Sequence, residues 1–551
     1  MAPQLLHVAV SYSSNMAAHH DVIVIGAGVA GIYQIKRLTD LGYDAVVLER
    51  EADLGGTWFR NRYPGARFDS ESYTYGYSFS QEILDEWHWQ ERFSAQPENL
   101  RYLNFVADKF SLRKYMRFNC DVRRMAWQED STHWQLELAD GEIVTANFVV
   151  TGLGPLSIPT LPEISGMDTF KGQSFHTFWW PEEDLQLQDK RVGIIGTGAT
   201  GIQIIGEIAD KVGNLTVFQR RPNWSSPLNN APISAEEMDN IRRRYDEIFS
   251  NCAASPGGFE HVPDRRGFWN FSKVEREAFW DQLYQTPGFA ILAANFTEIF
   301  FDEKANAEFS NYIANKIRQR VNDPEVAELL IPKDHGFGMQ RLPLETNYFE
   351  AYNRDNVHLV DITAAPIEAI SANGLQTAAE FYDLDVLIYA TGFDAVTGAY
   401  DHMNIEGVGG IQLADKWSQG PITHLGVMTH QFPNMIMVAG PQSASGSTNF
   451  PRAIETNVNW VTALFEHVFA SNYSRIEAKA SAEAQWREEV TASYAKLLLR
   501  HGKGWFVGYN ANIRNFDPNN IRYPAYQGGA PKYTEFLRQE AQLGYPGLTL
   551  S

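Results

Sequence analysis

The sequence predicts an α/β fold built from two similar sheet units and a helical insertion. Each unit opens with a short apolar strand, at 22–25 or 192–195, that runs directly into a glycine-rich turn and an amphipathic helix. Between residues 231 and 333, charged and aromatic residues recur at helical spacing, and Trp269, Phe279 and Trp280 are expected in the core of that subdomain. Strands that alternate with helices indicate parallel sheets, so we expect two Rossmann-like nucleotide-binding domains.

Composition and charge restrict the class of protein. The 551 residues are 44% apolar and 21% charged, enough for a core spread over several domains. The net charge of -21 disfavours a nucleic-acid or anionic-membrane partner, and no run approaches the roughly 18 apolar residues of a membrane span. Cys120 and Cys252 lack metal-ligand spacing and favour a reducing compartment. We expect a cytoplasmic monomer or weak oligomer without a metal. Residues 1–20 lack the basic start of a secretory signal and are expected to form a flexible tail.

The first unit has the features of a dinucleotide site. Gly26, Gly28 and Gly31 allow a tight turn, close approach of the backbone to a pyrophosphate, and close packing of the following helix. A second strand at 45–48 ends at Glu49, roughly 20 residues onward, where a carboxylate accepts hydrogen bonds from ribose hydroxyls. The loops that follow, at 55–58 and 61–69, are dense in glycine, aromatic and basic residues, which suits a large flat ring and favours FAD as the ligand.

The second unit repeats the pattern with a different charge. Gly196, Gly198 and Gly201 follow its first strand, and its second strand at 215–218 ends in Gln-Arg-Arg at 219–221. Arg220 and Arg221 replace the expected carboxylate, and guanidinium groups pair well with a 2'-phosphate. NADPH is therefore the expected second ligand, although a solvated basic turn remains an alternative interpretation of the two arginines.

Two further strands indicate where the chain passes between the units. Residues 148–150 run into Thr151 and Gly152, and residues 385–389 run into Ala-Thr-Gly-Phe-Asp at 390–394. Such segments link the domains of proteins that bind two dinucleotides, an analogy at the level of the fold. We expect a tail at 1–20, an FAD-binding domain at 21–154 and 387–551, an NADPH-binding domain at 155–230 and 334–386, and a helical insertion at 231–333.

A longer motif lies between the two glycine turns. Phe170, Gly172, His176, Trp180 and Pro181 form the pattern FxGxxxHxxxWP. This pattern resembles the fingerprint of the type I Baeyer-Villiger monooxygenases. The resemblance extends from Asp21 to about Leu548 and includes the segments 337–343, 352–357 and 440–443, together with Asn449 and Trp505.

The resemblance implies a reaction and a set of site residues. Members of this family use NADPH, FAD and O2 to insert one oxygen atom beside a ketone carbonyl through a flavin peroxide, which yields an ester or lactone. Arg341 matches the catalytic arginine of the family, and Asp69 matches the carboxylate that orients it. Arginine suits that role because it stays protonated and presents its donors in a rigid fork. The expected FAD contacts are Gly26, Gly28, Gly31, Glu49, Thr57, Trp58, Asp69, Tyr75, Val122 and Asn449, and the expected NADP contacts are Arg67, Gly196, Thr197, Gly198, Ala199, Thr200, Gly201, Arg220, Arg221, Gln340, Arg341 and Trp505.

Some positions depart from the family pattern. Gln340 stands where many relatives carry a lysine that grips the 2'-phosphate, and Arg221 stands where a threonine is common. We therefore expect NADPH with weaker discrimination against NADH. The segment 505–512 differs from the family beyond Trp505, and Pro155 and the loop 443–448 are expected to shape the substrate pocket.

Three features of the sequence allow more than one functional interpretation. We interpret His176 as a linker residue, although histidine is also able to act as an acid or base near neutral pH. The long loop 443–448 favours linear or arylalkyl ketones slightly over small cyclic ones. The alternatives to ketone oxygenation are a flavin monooxygenase that oxidises nitrogen or sulfur, and a nucleotide-binding protein without catalysis.

Overall fold

The structure is a computed structural model that describes residues 18–512, 517 and 522–551. The predicted flexible tail at 1–20 therefore lies mostly outside the described residues. Its last three residues belong to the first sheet, since Ala18, His19 and His20 pair with residues 144–146. The sequence predicts too late a start for the first strand, because residues 18–20 lie towards the surface and are not part of the apolar run.

The described strands fall into two large parallel or mixed sheets and three small ones. In chain order they are β1 Ala18–Ile25, β2 Ala45–Leu48, β3 Met116–Arg117, β4 Val122–Gln128, β5 His133–Leu138, β6 Ile143–Thr151, β7 Gln173–His176, β8 Arg191–Ile195, β9 Asn214–Gln219, β10 Ser226–Pro227, β11 Leu344–Glu345, β12 Val357–Asp361, β13 Ile367–Ser371, β14 Gly374–Thr377, β15 Phe381–Asp383, β16 Val386–Tyr389, β17 Asn404–Glu406, β18 Met435–Met437, β19 Ile476–Ala478 and β20 Leu548–Leu550.

The helices cover both large sheets and form the insertion. In chain order they are α1 Val29–Asp40, α2 Thr57–Arg60, α3 Ser72–Tyr75, α4 Gln81–Glu86, α5 Gln96–Lys109, α6 Ala199–Ile208, α7 Ala235–Arg243, α8 Tyr245–Ala254, α9 Lys273–Gln285, α10 Ala290–Ala293, α11 Glu303–Arg320, α12 Pro324–Leu330, α13 Tyr348–Ala351, α14 Gly398–His402, α15 Leu413–Lys416, α16 Phe450–Ala470, α17 Ala480–Tyr494 and α18 Ala530–Gln542. This mixture of helices and sheets confirms the predicted α/β class.

The first large sheet draws on two distant parts of the chain. Its order is β17-β4-β5-β6-β1-β2-β3, and β18 also pairs with β6. The strand β1 lies between β2 and β6 and is parallel to both, with Val22, Ile23 and Val24 fully buried. A strand buried on both faces needs a continuous apolar run, as the sequence has here. The turn after β1 therefore opens at the carboxyl edge of this sheet.

The second large sheet is parallel throughout, in the order β12-β9-β8-β16-β7. Its strand β16, Val386–Tyr389, pairs with both β8 and β7. The predicted domain boundary between 386 and 387 is therefore wrong, because it cuts through a strand of the second sheet. The chain leaves this sheet only after Tyr389. An apolar strand carries no mark of which sheet it joins, which is why the sequence misplaced the boundary.

Helices α7 to α12 lie between Ala235 and Leu330. Helices α9 to α12 supply much of the aromatic core beside the second sheet, whereas α7 and α8 pack into the core beside the first. Trp280 is fully buried and Phe279 packs against the same core. The expectation for Trp269 is wrong, since this side chain is 54% exposed and its indole Nε1 donates to Asp302 Oδ2 at 2.9 Å. No helix in the described part of the chain is long and apolar enough to cross a membrane.

Candidate active site

A cavity of about 850 Å³ lies where the carboxyl edges of the two large sheets face each other. Its walls come from both glycine turns, the crossing segments at 152–158 and 390–393, the insertion and the C-terminal region. Clefts of this size between domains are the usual place for cofactors and small substrates.

The first glycine turn is shaped by contacts that exclude a side chain. Gly26 has a φ of +101°, and a Cβ on Gly31 would lie 1.8 Å from the carbonyl oxygen of Gly26. Gly28 occupies the N-cap position before helix α1, so the helix has no side-chain cap, and its first turn has no acidic residue. Its first N–H groups and the positive end of its dipole are thus left available to an anion at the cavity wall.

Glu49 holds this turn in place from the end of β2. Its Oε2 accepts from the Ala27 N–H at 2.7 Å and its Oε1 accepts from the Glu51 N–H at 2.9 Å. Burial raises the pKa of this carboxyl, while the two N–H donors oppose the shift. Glu49 lines the cavity, and it also has a structural role in the turn that the motif alone did not indicate.

The loop predicted to face a flat ring forms an aromatic wall. Trp58 donates from Nε1 to the hydroxyl of Tyr75 at 2.6 Å, and the ring of Phe68 lies 4.2 Å from that of Tyr75. Thr57 begins α2 beside them, and Val122 lines the cavity from β4. These residues give the cavity a mostly apolar side next to the first glycine turn.

Asn449 lies behind this wall, outside the cavity lining. It is fully buried, and its Nδ2 donates to Thr74 Oγ1 at 3.2 Å. Its Oδ1 has no hydrogen-bond partner among the described residues. A buried amide oxygen without a donor is uncommon and marks a position where a further group is expected.

The second glycine turn repeats the geometry of the first. Gly196 has a φ of +111°, and a Cβ on Gly201 would lie 2.2 Å from the Gly196 carbonyl oxygen. A Cβ on Gly198 would meet nothing within 4 Å, so the backbone there is open to the cavity. Helix α6 also begins without a side-chain cap or an acidic residue in its first turn. Thr197 turns away from the cavity and donates to the carbonyl oxygen of Arg221 at 2.9 Å.

Two arginines follow β9 at the edge of this second turn. Burial and the neighbouring guanidinium of Arg221 lower the pKa of Arg220, whose Nη1 donates to Asn512 Oδ1 at 3.3 Å. Arg221 donates to the carbonyl oxygen of Lys503 at 3.2 Å and lies 3.5 Å from Asp334. The two side chains line the cavity and leave it locally positive, which is the condition for binding a phosphate.

Arg341 and Asp69 form an ion pair at the cavity wall. Arg341 Nη1 lies 2.7 Å from Asp69 Oδ2, and the same oxygen accepts from the Leu344 N–H at 3.2 Å. Asp69 is fully buried, whereas the Arg341 side chain is 33% exposed and lines the cavity. The carboxylate therefore holds the guanidinium from behind and leaves the outer face of the guanidinium free to meet a ligand.

His176 ties the end of β7 to the crossing segment at 390–393. Its Nε2 donates to the carbonyl oxygen of Gly392 at 3.0 Å, and its Nδ1 accepts from the Phe178 N–H at 3.1 Å. Burial lowers its pKa to about 4, so the ring is neutral near pH 7. Both ring nitrogens are engaged with the backbone, and His176 does not line the cavity.

Comparison with known proteins agrees with this arrangement. Residues 19–230 match the flavin-binding monooxygenase-like family model. The chain is 42% identical to 2-oxo-Delta(3)-4,5,5-trimethylcyclopentenylacetyl-CoA monooxygenase of Pseudomonas putida, over 96% of this chain and 98% of that protein. It is 36% identical to a Baeyer-Villiger monooxygenase of Pseudooceanicola batsensis, over 98% of each. A crystal structure of OTEMO in complex with FAD and NADP superposes with a TM-score of 0.93 at 42% identity, covering 97% of this chain and all of that one.

The chain belongs to the type I Baeyer-Villiger monooxygenases.

The cavity of this monooxygenase gathers most of the predicted site residues but not all. Those that line it are Gly26, Gly28, Glu49, Thr57, Trp58, Tyr75, Val122, Arg67, Gly198, Ala199, Thr200, Arg220, Arg221, Gln340, Arg341 and Trp505. Those outside the lining are Gly31, Asp69, Asn449, Gly196, Thr197, Gly201 and the fingerprint residues Phe170, Gly172, His176, Trp180 and Pro181. Within the second group, Asp69 and Asn449 lie directly behind the cavity walls, since Asp69 pairs with Arg341 and Asn449 bonds to Thr74 next to Tyr75.

The sequence missed the apolar wall that the insertion contributes. Phe259, Phe289 and Leu292 line the cavity, and the rings of Phe259 and Phe289 lie 5.1 Å apart. Their positions carry no motif, because any apolar residue on the insertion is an equally good candidate for its own core. Only the packing of the monooxygenase shows that these side chains face the cavity.

Proposed function

We propose that this chain is an FAD- and NADPH-dependent monooxygenase that inserts one oxygen atom of O2 beside a ketone carbonyl to give an ester or lactone. The observation that carries the proposal is the Arg341–Asp69 pair in a cavity reached by both glycine turns. The family membership and the OTEMO complex with FAD and NADP support the choice of cofactors.

The first turn has the features that FAD requires. The uncapped start of α1 suits the pyrophosphate, Glu49 lies at the ribose position, and Trp58 and Tyr75 stand where a flat ring would be enclosed. The unsatisfied Oδ1 of Asn449 supports a further donor nearby. The residues present therefore fit the flavin nucleotide.

The second turn fits a phosphorylated dinucleotide. The uncapped α6 suits the pyrophosphate, and Arg220 and Arg221 suit the 2'-phosphate that separates NADPH from NADH. Gln340 adds no charge, so the phosphate relies on the two arginines. Trp505 and Arg67 complete the lining on the proposed nicotinamide side.

When bound, NADPH supplies the hydride and FAD supplies the activation of O2. The protein positions the ketone and stabilises developing negative charge. We assign that task to Arg341. Asp69 fixes the orientation of its guanidinium, so the guanidinium needs little reorganisation when negative charge develops on the substrate. Phe259, Phe289 and Leu292 exclude water from the apolar end of the cavity, which strengthens this interaction.

We assign His176 a positioning role. Its neutral ring ties the end of β7 to Gly392, which lies in the crossing segment that leaves β16. Proton transfer to substrate is not part of the proposal, since both ring nitrogens are engaged with the backbone and the ring lies outside the cavity lining.

The decisive experiment is turnover with purified protein. The protein should be yellow, consume NADPH in the presence of a ketone, and place one atom of isotopically labelled O2 in an ester or lactone. Product from amines or thioethers, with none from ketones, would favour oxidation of nitrogen or sulfur instead. Tight nucleotide binding with no oxygenated product would favour a protein without catalysis.

The substrate class within the ketones is a separate question. The loop 443–448 contributes Ser445 and Thr448 to the cavity, and its length is the reason to favour linear or arylalkyl ketones. The Pseudomonas putida relative is named for a cyclic substrate, a 2-oxo-cyclopentenyl compound, and this name does not support that preference. A panel of linear, aryl and cyclic ketones at equal concentration tests it, and higher kcat/KM for small cyclic ketones would overturn it.

The cellular setting follows from separate observations. Cys120 and Cys252 are both free and buried, which supports a reducing compartment such as the cytoplasm. We also propose a monomer or weak oligomer, which light scattering over a range of concentrations tests directly.

A further inference from the structure

An acidic residue stands behind the proposed 2'-phosphate site. Asp334 Oδ2 lies 3.5 Å from Arg221 Nη1. Asp334 does not line the main cavity; it lines a separate open hollow, whose lining does not include Arg221. The carboxylate thus meets the guanidinium from outside the lining of the main cavity.

The hydrogen bonding of Asp334 differs from that of Asp69, although each lies behind an arginine. Asp69 approaches Arg341 to 2.7 Å and orients it, whereas the Nη1 of Arg221 has no hydrogen-bond partner among the described residues. The short contact of Asp334 is to His335 Nδ1, at 2.7 Å. Arg221 is oriented instead by the carbonyl oxygen of Lys503 and lies 5.2 Å from the ring centroid of Tyr509.

Asp334 is therefore placed to affect the charge of the site without orienting Arg221. Arg220 and Arg221 bring two positive charges, Gln340 brings none, and Asp334 subtracts one. His335 keeps the carboxylate in place, since the His335 side chain is only 2% exposed. The local charge that a phosphate would meet is smaller than the two arginines suggest.

We infer that Asp334 is a specificity-determining residue that weakens the preference for NADPH over NADH by partly neutralising Arg221. The inference rests on the proposed function, because it takes Arg220 and Arg221 as the 2'-phosphate site. The carboxylate repels the 2'-phosphate and has little effect on NADH, which carries no charge at that position. The chain therefore keeps two arginines yet discriminates less strongly than an unopposed pair would.

The test is coenzyme binding to the FAD-loaded protein carrying Asp334→Asn. Calorimetry with NADP+ and with NAD+ measures affinity without turnover. The phosphate would lie across the guanidinium from Asp334, roughly 8 Å from the carboxylate, and one unit charge at that distance with an effective dielectric of about 30 corresponds to about a tenfold change in affinity. We expect NADP+ to bind about tenfold more tightly and NAD+ to change less than about twofold. Unchanged or weaker NADP+ binding would overturn the inference, and weaker binding would mean that Asp334 positions Arg221.

A matched control carries the same loss of charge elsewhere on the second domain. Asp355 is exposed and lies just before β12. The other end of β12 pairs with the end of β9, next to Arg220. Asp355 therefore lies at the opposite end of the sheet from Arg220. Asp355→Asn should leave the ratio of NADP+ to NAD+ affinity unchanged. An equal gain in this control would assign the effect to net charge and overturn the role of Asp334.

A double-mutant cycle tests whether Asp334 acts by its charge alone. In an Arg221→Gln background, Asp334→Asn should raise NADP+ affinity about as much as it does in the wild-type background, because the repulsion between the carboxylate and the 2'-phosphate does not need the guanidinium. A gain of less than about twofold there would mean that Asp334 acts by holding Arg221, and it would overturn the charge effect. Ester formation and coenzyme binding test different claims. A wild-type protein that binds NADP+ more tightly than NAD+ but forms no ester would refute the proposed function. The binding data for Asp334→Asn would still decide the role of Asp334.

Discussion

Replacement of Arg341 by alanine separates the two tasks of the protein. Arg341→Ala should still allow NADPH to reduce FAD, because the glycine turns and Arg220 are untouched. Ester formation should be lost, because no other arginine in the described part of the chain is paired with Asp69 at the cavity wall.

The expected magnitudes follow from the geometry of the pair. Loss of one preorganised donor to developing charge costs about 10²–10³ in rate. Loss of Arg341 also leaves the fully buried Asp69 with the Leu344 N–H on Oδ2 and no partner for Oδ1 among the described residues. Breaking a buried pair costs about 3–5 kcal/mol, and we expect the lower end because Arg341 is one-third exposed.

The assay combines anaerobic stopped-flow, product analysis and denaturant unfolding. Arg341→Lys is the matched variant, since it keeps the charge and loses the fork. It should recover most of the lost stability while ester yield stays well below wild type. Undiminished ester formation in Arg341→Ala would refute the role of the arginine. Equal loss of flavin reduction and ester formation would refute the separation of tasks.

Three further outcomes test other parts of the site. Gln340→Lys should raise the ratio of kcat/KM for NADPH over NADH about tenfold by adding a charge, and an unchanged ratio would place residue 340 away from the phosphate. Gly31→Ala places a Cβ 1.8 Å from the Gly26 oxygen and should yield protein with little bound flavin; normal flavin content would contradict the predicted turn. Burial lowers the pKa of His176 from 6.5 to about 4, so on acidification the unfolded chain takes up the proton before the folded protein does. The contribution of His176 to the free energy of unfolding is therefore complete above about pH 6.5. It falls between pH 6.5 and pH 4 by up to ~1.4 kcal/mol per pH unit. Unfolding of His176→Gln across that range should lack this slope, and a retained slope would assign it to another group.

The glycine turns were predictable because their requirements are local. A strand, a tight turn and a helix are contiguous in the chain, and the need for glycine at Gly26 and Gly31 arises within that unit. The charge at the end of β9 was equally readable from Arg220 and Arg221. Long-range pairing was not: the strand β16 joins the second sheet by contacts with β7 and β8, and its apolar residues suit either sheet.

The sequence by itself determined the fold class, the two glycine turns and the family, since these depend on short motifs of uncommon residue types. Tertiary structure alone decided which charges meet. Asp69 and Arg341 are far apart in the chain yet lie 2.7 Å apart, and Asp334 reaches Arg221 only through folding. The energy of a charge interaction depends on distance and burial, and the order of residues along the chain gives neither quantity.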